Sequence, residues 1–597
     1  MRPSLALRAA KTPGLDRAQK ASRRATLPLA RTLAQNDKRK GAAARRADIV
    51  SPALCDDILS FIGPSLEQYK HCDIVDANPG AALWSSKIHD LLQPRRHILC
   101  EPDAFYKPFL QPLIDRPGSK YVNGPSDESA LQSLAAVLAD GLPEQQPLKP
   151  GDPRLNQPNT SLLVLLNLSR INASGSRGIY MLTRDILNTL TASAWTHGGI
   201  HRYGQVRMLV WVGEYFKHRL VPRELNDMDS YGLSFEYRTN TSVVADHPAP
   251  KLPRDETTLD LASAVRAVEK MRALNLQLPL NRQSILHREA LSITSTRDIS
   301  DVQADLKSDI VPRRDKEDEI KELEAAFESG ALSIPKMFHS GSKHRKHDIW
   351  WDRLTELKKF TPSWMQLKRS IYVKNKPHIA LADHIHQLEL IVVDESRPAQ
   401  ERLAAKEEME KLRADLMKGV RRLGEQARRA FHNVLDNRKA FYRSPSALSW
   451  DNRAFEPLCT EPHEFYPQQS LTLLDITPKP APREYSMEDI FYWQRFADRM
   501  FDRTSTSVGK ALDNMRLGSA EIILPEVGAI HDPRRGGSFD VEDVRVRSLT
   551  PEMMDEIVNA WRNWTFRPES LEKIFTETRL SWDELMALDA DAKTSFF

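Results

Sequence analysis

His71-Cys72-Asp73-Ile74-Val75-Asp76-Ala77-Asn78-Pro79-Gly80, continuing through Ala81 to Leu92 and on to His97-Ile98-Leu99-Cys100-Glu101, decides the fold. Ile74-Val75-Asp76-Ala77 reads as a buried strand. Asn78-Pro79-Gly80 reads as a tight turn, and Ala81 to Leu92 as a helix. A second apolar strand, His97 to Cys100, ends in the acid Glu101. Strand, tight turn, helix and a second strand tipped by an acid make the nucleoside-binding half of a doubly wound sheet. The turn brings backbone close to a ligand, and Glu101 is placed to accept hydrogen bonds from ribose hydroxyls. The turn is poor in glycine, because Asn78 and Ala82 stand where the pattern wants glycine. A Cβ at position 82 crowds the helix start. Asp76 has two readings, a cap for the following helix or an acid facing the ligand. Glu101 also has two, an ordinary strand-end acid or a ribose contact. His71, His89 and His97 lack the spacing of a metal site, and no metal is expected.

Working outward, strand-like and helix-like segments alternate from Asp48 to about Val244. Strands are expected at 73–77, 97–100, 161–167, 206–212 and 233–237. Helices are expected at 104–114, 128–139, 179–191 and 214–220. This alternation implies a mostly parallel α/β sheet, doubly wound. Leu162-Leu163-Val164-Leu165-Leu166 has no polar face and reads as a central strand covered on both sides. From about 248 to 449 the alternation stops and the chain reads as charged and helical. Between Ala399 and Tyr442 there is no proline, and Leu412, Leu416, Leu423, Ala427, Ala430 and Val434 recur at helical spacing. That repeat is too short and irregular for a dimerising coiled coil, so a monomer is expected. Sheet-like sequence returns at Leu471-Thr472-Leu473-Leu474-Asp475-Ile476, so 450–485 is expected to rejoin the first sheet. A large helical insertion, 248–449, then interrupts the domain 47–247. Long insertions are tolerated because loop-closure entropy grows slowly with length. Residues 486–597 read as a small C-terminal helical domain with a tail.

Composition bounds the remaining choices. A chain of 597 residues has room for several domains, and an apolar fraction of 41% supports ordinary cores. The formal net charge is only +4, so nucleic-acid binding has to come from local basic surfaces. The four cysteines are scattered and read as buried thiols in a reducing compartment. No run of about eighteen apolar residues occurs, and no membrane partner is expected. Residues 1–46 are rich in arginine and lysine, with Arg23-Arg24, Lys38-Arg39-Lys40 and Arg45-Arg46 against only Asp16 and Asp37. Such a leader reads as a mitochondrial transit peptide, which places the chain in the matrix and starts the folded part near Ala47. The other reading is a disordered basic arm on nucleic acid.

Five segments together resemble the rRNA adenine N6-dimethyltransferase family. They are Asp76–Gly80 with Leu99–Tyr106; Leu165-Leu166-Asn167-Leu168; Tyr203–Trp211 with Glu214 and Arg219-Leu220; Leu473–Pro478; and Trp564–Leu571. The third and fifth are similar to the mitochondrial transcription-factor branch of that family. The resemblance implies a class I methyltransferase-like sheet with S-adenosyl-L-methionine near Asp76, Asn78, Gly80, Glu101 and Asn167. It also implies an Asn-Leu-Pro-aromatic clamp for a flipped adenine, with Asn167 as the catalytic residue. Here Ser169 and Arg170 replace the proline and the aromatic, so a flipped base loses its stacking partner. Tyr180 follows, but from a different place in the sequence. With the glycine-poor turn, this points to a kept fold, lost chemistry, and a cofactor bound weakly or not at all.

The resemblance therefore implies a transcription initiation factor. It would bind mitochondrial RNA polymerase and promoter DNA, preferring melted strands, and assist melting. The alternative is a working S-adenosylmethionine-dependent dimethyltransferase of mitochondrial small-subunit rRNA. Basic and aromatic loop residues suit unpaired strands. Candidates are Arg170, Arg177, His201, Arg202 and Tyr203, with Arg534 and Arg535 in a second loop. Arg170 follows a central strand directly. Arg202 and Tyr203 reach the same carboxyl edge only if their loop folds back over it.

Overall fold

The computed structural model describes residues 27–37, 46–125, 130–140, 142–169, 177–247, 257–293, 321, 324–325, 329 and 362–576. The chain divides into two compact units. One holds 12–248, 263–291 and 439–597, and the other holds 1–11, 249–262 and 292–438.

The first unit is built on an eight-stranded sheet of order β4-β3-β2-β5-β6-β10-β7-β8. These strands are β2 (Asp73–Ala77), β3 (Arg96–Cys100), β4 (Tyr121–Asn123), β5 (Pro158–Asn167), β6 (Gln205–Gly213), β7 (Thr239–Asp246), β8 (Leu458–Cys459) and β10 (Leu471–Pro478). A two-stranded ribbon pairs β1 (Asp48–Ile49) with β9 (Phe465–Tyr466). Strands β2 to β6 run parallel, joined by the helices Leu83–Leu92, Lys107–Ile114, Ala130–Asp140 and Arg177–Trp195. β10 lies antiparallel between β6 and β7. This is a mixed, mostly parallel Rossmann-like sheet, the doubly wound α/β class read from the sequence. Strand order reverses at β2, which pairs with β3 on one side and β5 on the other. The carboxyl ends of β2 and β5 therefore form the crevice where such sheets bind ligands.

Strand alternation divides the core between the two faces. Val75, Leu162, Val164, Leu166, Met208 and Val210 pack with helix residues Leu134, Leu187 and Leu190 on one face. Ile74, Leu163, Leu165, Leu209 and Trp211 pack with Ile58, Leu66, Trp84 and Ile88 on the other. Helix Pro52–Leu66 starts where the Ser51 hydroxyl accepts from Leu54 N. The C-terminal helices include Met487–Met500, Val508–Met515 and Pro551–Asn563. The first opens on a Ser486–Asp489 capping box. Their core, with Phe496, Leu512, Met553, Ile557 and Trp561, also takes in Leu225, Met228 and Leu233.

In the second unit, helix Pro362–Val393 packs on Ala399–Arg421 through Ile385, Leu388, Ala405 and Met409. The proline-free stretch read as helical is two helices, Ala399–Arg421 and Glu425–Tyr442, with a break before Gly424.

Three sequence expectations are corrected. Residues 233–237 are not a strand but lie in helix Ser230–Arg238, and the strand follows at β7. Asp229 caps the helix by accepting from Gly232 N at 2.8 Å. Leu233 enters the C-terminal core and Phe235 the sheet core, so burial on two sides hid the helical period. Second, described structure begins before Ala47: Pro28–Asn36 is a helix whose Leu33 is fully buried. Third, the segment 248–449 contributes to both units, since 263–291 and 439–449 belong with the sheet. Ser263 donates to Asp451 and Arg266 to Phe441 O there.

Candidate functional site

The strand, turn and helix read from 73–92 and the strand ending at Glu101 are present, and Arg46, Ala47 and Asp48 pack against their ends. Asn78, Gly80 and Ala82 all take left-handed conformations, with φ of 67°, 61° and 57°. Asparagine tolerates this region better than most residues. Glu101, at the end of β3, accepts from Gly80 N at 2.8 Å and from Asp103 N at 3.0 Å. Its third partner is the Arg46 guanidinium, which also donates to Asn78 Oδ1 at 2.7 Å. The Arg46 side chain is almost wholly buried and lies over the Tyr106 ring. Burial works against its charge, but Glu101 more than compensates and holds its pKa above the ordinary value.

The next two residues complete the packing. Ala47 N donates to Ser169 O at 3.1 Å and to its Oγ at 3.2 Å. Ala47 O accepts from Asn167 Nδ2 at 3.0 Å and from Ser169 Oγ at 3.0 Å. Asn167 Oδ1 accepts from Ser169 N and Oγ, and Asn167 O accepts from Asn78 Nδ2. Both polar ends of the Asn167 amide are thus engaged inside the protein. Asp48 accepts from the Tyr106 hydroxyl at 2.7 Å and from Ala81 N at 3.4 Å. A Cβ on Gly80 would come within 1.8 Å of Asp48 Oδ1, so glycine is required here by the chain itself. Burial pushes the Asp48 carboxyl up to about 7, against the pull of Tyr106 and Arg46. β1 and the Glu464 carbonyl, which accepts from Val50 N at 2.8 Å, pin the far side of this segment. Helix Pro28–Asn36 joins the same cluster through Ala30 and Leu33, against Ala82, Leu99, Tyr106 and Tyr466.

Asp76 does not take the capping role. Its carboxylate meets His97 Nε2 at 3.4 Å, and helix Leu83–Leu92 has no side-chain cap. Arg202 and Tyr203 lie at the opposite, amino edge of the sheet, and their loop does not fold back. Arg202 donates to Leu138 O at 2.6 Å and to the Tyr203 hydroxyl at 2.8 Å, and it stacks on that ring. Tyr203 is buried, and its carbonyl accepts from Asn159 near the start of β5. His201 is fully buried between Leu190 O and Val206 N. Arg534 is tied to Asp532, and Arg535 to Glu552 and Glu556. Arg170 lies outside the described residues, as do the side chains of Arg177 and Tyr180.

Sequence reasoning missed Arg46, Asp48, Tyr106 and Ser169. Arg46 reads as the end of a basic leader, and Ser169 as the loss of a proline. A cleft of about 280 Å³ among the C-terminal helices was also missed, lined by Arg499, Met500, Asp502, Arg503, Asn514 and Met515, with Arg499 paired to Asp502. Arg503 is exposed and makes no side-chain hydrogen bond or ion pair among the described residues. Among those residues no group of His, Cys, Asp and Glu could hold a metal, and no helix is long and apolar enough to cross a membrane. No protein-family model matches the chain, and no curated protein is found to be similar to it.

Proposed function

We propose that this chain is a non-catalytic mitochondrial transcription initiation factor on a methyltransferase-like scaffold. It binds mitochondrial RNA polymerase and promoter DNA and helps the strands separate. One observation carries the non-catalytic part: Arg46, Ala47 and Asp48 fill the crevice between the ends of β2 and β5. Glu101, Asn78 and Asn167 would have to give up these buried partners before a nucleoside could use them, and an unpaired buried charge is costly. The assignment to transcription rests on the five-segment resemblance. For phosphate contact, Arg170 keeps its sequence-based candidacy. Arg503 joins it, because its guanidinium is exposed and makes no side-chain bond among the described residues, while Arg202 is bonded to Leu138 O and Arg535 is paired with Glu552 and Glu556.

Two measurements test the reading. Run-off transcription from a mitochondrial promoter with cognate polymerase is expected to depend on this protein. Calorimetry with S-adenosylmethionine is expected to show no micromolar binding. Micromolar binding, with dimethyladenine formed on small-subunit rRNA and lost in Asn167→Ala, would support the rRNA dimethyltransferase instead.

A further inference from the structure

The second unit gathers positive charge at one end. Helix Ala399–Arg421 returns antiparallel along helix Pro362–Val393: a Cβ on Gly419 would meet the His378 ring at 2.6 Å, and Glu408 meets His384 at 3.2 Å. Helix Glu425–Tyr442 then runs parallel to the first. Asn375 Nδ2 donates to Ala427 O at 2.8 Å, the rings of His378 and Phe431 lie 6.4 Å apart, and Arg438 pairs with Asp383. Ile379, Ala382, Val420, Phe431 and Val434 form the core at this end. These contacts bring three basic stretches together. Lys374 and Lys376 flank Asn375. Lys418, Arg421 and Arg422 close the second helix, and Arg428 and Arg429 follow Ala427. All of these cations are exposed. Arg429 pairs with Glu425, and the others make no side-chain hydrogen bond or ion pair among the described residues. Glu425 is the only acid in 416–431, and 371–382 has none.

Helix electrostatics account for part of this group. Lys418, Arg421 and Arg422 suit the negative end of their helix's dipole. Arg428 and Arg429 do not, because they lie in the opening turns of helix Glu425–Tyr442, near its positive end. Lys418 also stands three and four residues from Arg421 and Arg422, spacings at which like charges destabilise a helix. Helix stability thus does not explain the whole group, whereas a polyanion would satisfy all of it. Packed helices lie about 8–10 Å apart, so cations on three of them cover more than one phosphate or carboxylate can pair. Duplex nucleic acid carries a phosphate charge about every 1.7 Å of its axis, and the guanidinium fork matches a phosphate bidentately. No Phe, Tyr or Trp is exposed among the described side chains of 371–382 and 416–431, so none of them stacks on an unpaired base. We propose that this end of the second unit binds the phosphate backbone of duplex nucleic acid without regard to sequence. This inference is independent of the proposed role in transcription.

The test is fluorescence anisotropy of a labelled DNA duplex of random sequence with the full chain at several salt concentrations. Absence of duplex binding by the wild type at low salt would overturn the proposal. Each cation on a phosphate contributes about one to the log–log salt slope. Arg421→Gln, Arg422→Gln and Arg428→Gln together are expected to lower the slope by about three, and a fall below about two would overturn the proposal. Lys107→Gln, Lys120→Gln and Lys149→Gln remove the same charge from exposed positions of the sheet unit and are expected to leave the slope within about one of the wild type. A larger fall there would assign the effect to overall charge and overturn the site. Should the arginine variant not fold, Lys374→Gln with Lys376→Gln probes the same end, with a fall of about two expected and a fall below about one overturning the site. Vesicles of equal parts phosphatidylcholine and phosphatidylserine are the second probe. Vesicle binding that the arginine variant loses, with duplex binding unchanged, would assign the surface to a membrane and overturn the nucleic-acid reading. The readout uses neither polymerase nor promoter, so failure of the transcription reading leaves it unaffected.

Discussion

Asp48 shows how much one residue draws from its surroundings. In sequence it is one more acid after a basic leader. In the structure it sits under the Gly80 turn with Tyr106 and Ala81 as donors, and burial raises its pKa to about 7. Because the folded pKa lies above the ordinary 3.8, the folded state holds this proton more tightly than the unfolded chain does. The associated stability is complete below about pH 4, falls as pH rises, and is gone above about pH 7. A shift of roughly three pKa units corresponds to about 4 kcal/mol as an upper figure. Asp48→Asn keeps the shape and one acceptor oxygen, and its amide N–H can donate to the Tyr106 hydroxyl once that hydroxyl turns to accept. The expected outcome is a smaller loss of stability between pH 5 and pH 8 than in the wild type, read from urea unfolding. Glu236, also raised to about 7 by burial, keeps its own share of the slope in both proteins. Identical pH dependence in the two would show that Asp48 does not carry a raised pKa. Arg46 beside it belongs to the class of buried ion pairs that are expensive to break and of little net benefit when made.

Among the elements, helix Pro28–Asn36 departs furthest from its sequence. Basic and acid-poor surroundings make it read as part of a removable leader. Yet Leu33 is fully buried and Ala30 nearly so, against Leu99, Tyr106, Leu110 and Tyr121. A nine-residue helix is too short to persist alone in water, so this one is held by packing. Leu33→Ala is expected to cost about 2–5 kcal/mol, the usual range for a buried leucine. Chemical denaturation measures it, and a change under about 0.5 kcal/mol, typical of surface sites, would show that the helix is not docked. Helix Ser230–Arg238 teaches the reverse lesson. Leu233, Phe235 and Tyr237 alternate like a strand, but the faces of this helix are covered by two different cores, and an element buried on several sides loses its period.

For the whole molecule, the small net charge of +4 makes nucleic-acid binding a matter of individual groups. The proposed factor is expected to bind pre-melted promoter DNA more tightly than duplex, because single strands offer flexible phosphates and open base faces. Each arginine that contacts a phosphate contributes about one to the log–log salt slope. Arg503→Ala is therefore expected to lower the slope by about one in gel-shift titrations, while Arg202→Ala leaves it unchanged. An unaltered slope in Arg503→Ala would remove the C-terminal cleft as a phosphate contact. The doubly wound sheet, its central strand Leu162–Leu166 and the return of the chain at Leu471–Ile476 were all legible in the sequence by itself. Each is written in a short run whose apolar period matches its local structure. What occupies the carboxyl edge was decided only by the tertiary structure. Arg46 meets Asn78 and Glu101 across 32 and 55 residues, and Ala47 meets Asn167 across 120. Contacts of that span leave no local pattern, because no periodicity links the partners and their energy exists only once the sheet has brought them together.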